Sequence, residues 1–114
     1  MSRVRLLGTA LLLVGLLLPV SLTAQERGIS PTEIVIGSTL PLSGPAAYWG
    51  TGVGGGIDAF LRSVNDAGGV HGRKFRVVLR DDSYLPPRAV LNARELVERD
   101  GVFAIVGMIG TANA

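Results

Sequence analysis

Glu33-Ile34-Val35-Ile36-Gly37-Ser38-Thr39 places three branched aliphatics in a row, the mark of a strand buried on both faces. Downstream, a loop rich in proline and glycine leads to Thr51–Asp66, where Val53, Ile57, Leu61 and Val64 recur at near-helical spacing. Asp58 and Arg62 stand one turn apart on the wet side of that helix, a pair worth about 0.2–0.5 kcal/mol. Gly68-Gly69 then stops it, because glycine takes the left-handed conformation of a helix end at no steric cost. Phe75–Asp81 alternates, with Phe75, Val77 and Leu79 on one side and Arg76, Val78 and Arg80 on the other, as in a strand near a sheet edge. Pro87 suits the first turn of a second helix. Its apolar face is expected to be Val90, Ala93 and Val97, with Arg94–Glu98 and Glu95–Arg99 one turn apart outside. Asp100-Gly101 ends it, and Val102–Val106 reads as another continuous apolar strand.

Strands alternating with helices imply an α/β fold, a Rossmann-like parallel sheet with right-handed crossovers. The two wholly apolar strands belong inside and the alternating one at an edge, which predicts the spatial order 2-1-3 with the helices on opposite faces. In that order the winding reverses between strands 1 and 3, and ligands of open α/β sheets bind in the crevice that opens there. Two loops are thereby nominated as the site, 41–50 and 108–114.

Upstream of this unit, Met1–Arg5 is a short basic stretch, Leu6–Leu18 is almost purely aliphatic, and Ser21-Leu22-Thr23-Ala24 offers small residues to a peptidase. That is the anatomy of a secretory signal over residues 1–24, and the aliphatic run is short of the roughly 20 residues a spanning helix needs. An uncleaved membrane anchor is the alternative. Beyond Gln25 the basic residues (Arg27, Arg62, Arg73, Lys74, Arg76, Arg80, Arg88, Arg94, Arg99) equal the nine acids, so no basic surface argues for nucleic acid. The absence of cysteine excludes a disulfide framework, thiolate metal sites and a cysteine nucleophile.

Chemical motifs are weak. Gly50-Thr51-Gly52-Val53-Gly54-Gly55 fits the G-x-G-x-x-G dinucleotide pattern, but Gly50 lies well beyond the strand end at Thr39, where the motif has no context. The structural alternative is a helix start lying close to a neighbouring backbone or a ligand. Asp81 and Asp82 point to opposite faces of a strand and so do not form one carboxylate pair, and capping the next turn suits them better. His71 sits in a Gly-Gly-Val-His-Gly turn as a solvated residue, and Ser43 lacks the strand–turn–helix setting of a nucleophile elbow. Nothing assembles a catalytic centre, a metal site or a cofactor site, and the chain is expected not to be an enzyme.

Tyr48 and Trp49 are two of only six aromatics, set in a Gly/Pro loop. Either they pack the loop onto the sheet or one of them walls a ligand pocket. Gly110-Thr111 follows the last strand, where a third helix is expected to begin. There a hydroxyl and free backbone N–H groups make an N-cap, a carboxylate site, or both with the same atoms.

Ile34–Ala47, Val64–Lys74, Asp81-Asp82 and Leu96–Val102 occur in an order and spacing that resembles the N-terminal part of the periplasmic solute-binding proteins of branched-chain (Leu/Ile/Val-type) amino acid ABC transporters. The resemblance covers Ser30–Ala114. It implies a two-lobed α/β protein that closes on an amino acid in the periplasm and delivers it to a membrane permease. Residues 25–114 would be the N-terminal part of lobe 1, a fragment expected to bind and fold poorly alone. Within the resemblance Thr111 holds the ligand's α-carboxylate, Gly110 and Ala112 shape the backbone around it, and Trp49, with Tyr48 next to it, lies beside the ligand side chain. Binders of amides, urea or aromatic acids, a ligand-sensing receptor domain and a secreted Rossmann-type enzyme are the other classes considered. After cleavage, no direct membrane insertion is expected. Intact mass of the exported product is expected to place its N-terminus at Gln25; a product retaining Met1–Ala24 would establish the anchor instead.

Overall fold

The computed structural model describes residues 25–113, so the expected signal at 1–24 and Ala114 lie outside the described residues. Five elements follow in order: β1 (Glu33–Leu40), α1 (Ala47–Asp66), β2 (Lys74–Asp81), α2 (Pro86–Glu98) and β3 (Ala104–Ile105). They form one parallel three-stranded sheet in the order β2-β1-β3, the arrangement read from the sequence. Glu33 to Leu40 of β1 pairs in register with Lys74 to Asp81 of β2.

Strand alternation divides β1 between two helices. Val35 and Gly37 face α2, where Val35, Leu96 and Val102 form a core joined by Val78 and Ile105. Leu96 is completely buried, a burial worth about 1.5–3 kcal/mol. Leu40 points the other way, to Gly54 of α1 and Leu79 of β2. The helices therefore cover opposite faces, as expected. The α1 side is thinner. Ile36, Ile57, Phe60, Leu61, Phe75 and Val106 line an open apolar hollow of about 240 Å³, and Phe60 is 67% exposed.

Several boundaries and one face differ from the sequence reading. Helix α1 begins at Ala47 rather than Thr51, so the loop after β1 is shorter and Tyr48 and Trp49 lie in the first turn of a helix. Glycines inside the helix concealed that turn by weakening its apolar periodicity. Helix α2 carries Pro86 and Pro87 at its first positions and buries Ala89 and Leu96, while Val90 and Val97 are exposed. The expected stripe is thus rotated by one residue, because Leu96 fills the gap over Gly37 together with Val102. Strand β3 is two residues long, yet the Phe103 N–H donates to Val35 O at 2.8 Å and the Val106 N–H to Gly37 O at 2.9 Å, continuing the ladder at both ends.

Side chains fasten the elements together. Asn65 donates to Phe75 O at 2.8 Å and accepts from the Phe75 N–H at 2.7 Å, clasping the end of α1 to β2. Arg80 of β2 reaches Glu95 and Asp100 at either side of the α2 terminus, so Glu95 bonds across to the sheet and not along its own helix. Asp58 and Arg62 do pair, at 2.7 Å.

Gly50 of α1 lies directly against the backbone of Pro41, and a Cβ there would collide with the Pro41 carbonyl. Gly55 and Gly56 have open space. Alanine gains about 1 kcal/mol over glycine in a helix interior, whereas overpacking costs about 1–3 kcal/mol or more. Gly50→Ala is therefore expected to lower the urea midpoint and Gly55→Ala to raise it. Equal shifts in the two variants would contradict the close approach at Pro41.

Candidate functional site

Asp81, the last residue of β2, and Asp82 after it organise the loops beyond the carboxyl ends of the strands. Their carboxylates diverge, as strand alternation requires. The Asp81 carboxylate accepts from the N–H groups of Leu42 (2.8 Å), Ser43 (3.2 Å) and Ser83 (2.8 Å) and from the hydroxyls of Ser43 and Ser83. These bonds, the Ser43 hydroxyl foremost and then the Ser83 and Leu42 N–H groups, hold it well below the usual carboxylate range against the opposing effect of desolvation. Asp82 is fully buried and accepts from the Thr39 hydroxyl at 2.9 Å and the Tyr84 N–H at 2.8 Å. Asn92 of α2 donates to both Thr39 Oγ1 and Asp81 O at 3.0 Å.

This network holds an unusual turn. Ser83 (φ +51°) and Tyr84 (φ +63°) are consecutive non-glycine residues in the left-handed region. Each such residue costs about 1–3 kcal/mol and persists where its surroundings over-determine it. Here the aspartate bonds to both N–H groups, and the Leu85 N–H donating to Asp82 O at 2.9 Å, supply that determination. The Tyr84 ring consequently lies against Gly110 (φ +98°), where a Cβ would sit 2.8 Å from Tyr84 Cε2. Only glycine suits Gly110, on both conformation and space.

Pro45, Ala46, Trp49, Tyr84 and Ile109 line a cavity of about 410 Å³. The two loops nominated from sequence thus meet, Trp49 from one and Ile109 from the other. Tyr48 meets Trp49 edge-on, ring centroids 5.7 Å apart and planes at 79°, and lines a second hollow with Trp49, Thr51, Gly52 and Val53. Both aromatics are mostly exposed, so the structure gives them no role as core. Gly110, Thr111 and Ala112 form a turn closed by the Asn113 N–H donating to Gly110 O at 2.9 Å. Thr111 and Ala112 are exposed, next in sequence to the Gly110–Tyr84 contact but not among the cavity's lining residues. The expected third helix does not begin within the described residues. Asn113 is buried, and its Nδ2 has no hydrogen-bond partner among the described residues.

Tyr84 is the site residue that sequence reading missed. Its signal was present: two aspartates that make Asx turns, followed by an aromatic in a loop. Gly50 and Gly54 of the G-x-G-x-x-G match meet Pro41 and Leu40, the close-approach alternative to nucleotide binding. His71 is an exposed turn residue (φ +49°).

Residues 33–114 match the family model described as periplasmic binding protein. The chain belongs to this family. Among curated members, it is 31% identical over 80 residues to Leu/Ile/Val-binding protein homolog 1 of Brucella abortus, covering 70% of this chain and 21% of the relative. Among solved members, it superposes on a fatty acid ABC transporter substrate-binding protein from Thermomonospora curvata (TM-score 0.70, 29% identity, 78% of this chain and 22% of that one). It also superposes on a branched-chain amino acid transporter substrate binding protein from Streptococcus pneumoniae in complex with isoleucine (TM-score 0.65, 32% identity, 67% and 22%). The chain therefore spans about a fifth of the length of these relatives. The family resemblance and the sheet order read from the sequence both stand.

Because the Asp81 pKa is depressed by folding, its contribution to stability is fully present above the unfolded-chain value of about 3.9 and is lost as pH falls through the folded value. The gap in urea midpoint between wild type and Asp81→Asn is expected to be constant above about pH 5 and to narrow below about pH 4. A gap that stays constant down to about pH 2.5 would remove Asp81 as the loop's anchor.

Proposed function

We propose that the chain is the N-terminal part of lobe 1 of a solute-binding protein serving an ABC importer. In this reading it captures a branched-chain or related hydrophobic amino acid in the periplasm and delivers it to the permease. The observation that carries the proposal is the cavity beyond the carboxyl ends of β1 and β3, where Trp49 and Ile109 meet at the reversal of winding in a periplasmic binding protein fold. An apolar wall beside a polar turn fits a ligand with a carboxylate on an apolar body. Isoleucine and a fatty acid, named for two structural neighbours, share that chemistry.

Thr111 and the N–H groups of its turn would receive the carboxylate, with Gly110 and Ala112 setting the backbone, and Trp49 would pack against the apolar group, braced by Tyr48. The function is binding without chemical conversion. Export through residues 1–24 would deliver the protein to the periplasm, and no described helix is long and apolar enough to cross a membrane.

Isothermal titration of the intact protein with L-isoleucine and L-leucine tests the reading. Thr111→Ala removes one hydrogen bond to a charged group, worth about 1.5–3 kcal/mol, and is expected to weaken binding by about tenfold to a hundredfold. Trp49→Ala is expected to weaken it by a similar factor. Unchanged affinity in both variants would overturn the site assignment.

A further inference from the structure

We infer that Tyr84 is a second aromatic wall of the ligand's apolar subsite, and that the slot it makes with Trp49 favours a carboxylate ligand whose apolar body is a flat aromatic ring. The inference rests on the solute-binding reading and adds to it the class of group the subsite takes.

Trp49 from the first turn of α1 and Tyr84 from the loop after β2 line the same cavity, with Pro45, Ala46 and Ile109. Both rings are carried on backbone that the protein itself holds in place. Trp49 rides on the first turn of α1, whose close approach to Pro41 is set by Gly50, and Tyr48 meets it edge-on. Tyr84 is held at φ +63° by the buried Asp82 carboxylate, itself bonded to Thr39 in the central strand. Strained backbone of this kind clusters at ligand clamps, where it presents a side chain the relaxed chain would not. The ring it presents is about half exposed, so the core gains little from the arrangement, while the cavity gains a wall.

The same ring reaches Gly110, the neighbour of Thr111. A missing Cβ at Gly110 leaves room for it. One residue therefore borders the turn proposed to hold the carboxylate and also walls the space beside it. Walls fixed before the ligand arrives leave less ordering to be done on binding. A ring placed between two aromatics gains offset or edge-to-face contacts that a branched aliphatic group lacks, a factor of about 2 to 10 in affinity for each contact.

Isothermal titration of the intact protein with L-phenylalanine and with L-leucine, as wild type, Tyr84→Asn and Tyr84→Phe, provides the test. Asparagine tolerates the left-handed backbone, so Tyr84→Asn removes the ring and keeps the turn. Wild type is expected to hold L-phenylalanine the more tightly. Tyr84→Asn is expected to weaken L-phenylalanine by about tenfold and L-leucine by less than about threefold, with Tyr84→Phe within about twofold of wild type. Equal losses for the two ligands in Tyr84→Asn, or no loss for L-phenylalanine, overturn the inference while the solute-binding reading stands. Binding of neither amino acid by wild type overturns that reading, and this inference with it.

Discussion

Two neighbouring carboxylates at the end of β2 hold the site end of the molecule together. Alternation along a strand sends Asp81 to one side and Asp82 to the other, so each serves a different set of donors. Asp81 gathers the Leu42–Ser43 loop and the Ser83 turn, and Asp82 ties Tyr84 to Thr39. Asn92 then joins this network to α2. The loops after β1 and β2 are consequently held by one strand end, and the loop after β3 is met by the Tyr84 ring. Charge-assisted bonds to backbone N–H groups are roughly twice as strong as neutral ones, which is what allows two consecutive left-handed residues to persist.

The scaffold beneath is economical. β1 is covered by α2 on one face and α1 on the other, with Leu96 over Gly37 and Gly54 against Leu40. Small residues at the contacts let the helices sit close, and the rest of the apolar surface is only partly covered. Trp49 and Tyr48, which belong to neither core, stand at the carboxyl end of the sheet. Open α/β sheets bind ligands there because the loops separate and helix N-termini point outward. The chain belongs to a family whose solved members include substrate-binding proteins that share this sheet geometry.

Much of this was legible in the residues. Ile34-Val35-Ile36 identified the central strand, the alternation of Phe75–Asp81 identified the edge, and the order 2-1-3 followed from burial alone. Trp49 was singled out as an aromatic without a core position. What escaped was rotational and conformational detail. The buried stripe of α2 turned on Leu96 and Ala89 rather than Val90 and Val97, since propensity and spacing cannot say which of two adjacent apolar stripes meets the sheet. Helix α1 began earlier than its periodicity showed because glycine carries no side chain to mark a face.

The sequence by itself determined the strand and helix order and the parallel sheet, because these rest on local periodicity and composition; the family followed from motifs in a fixed order, and the same order of strands nominated the two loops that border the cavity. Tertiary structure alone decided that Tyr84 joins Trp49 in one cavity. Its position depends on a positive φ, on the Ser83 and Tyr84 N–H groups donating to Asp81 and Asp82, and on Thr39 donating to Asp82, contacts between residues up to 43 positions apart. The two aspartates signal a turn locally, but the cavity that the tyrosine enters is fixed by the Thr39–Asp82 bond between neighbouring strands and by its contact with Gly110.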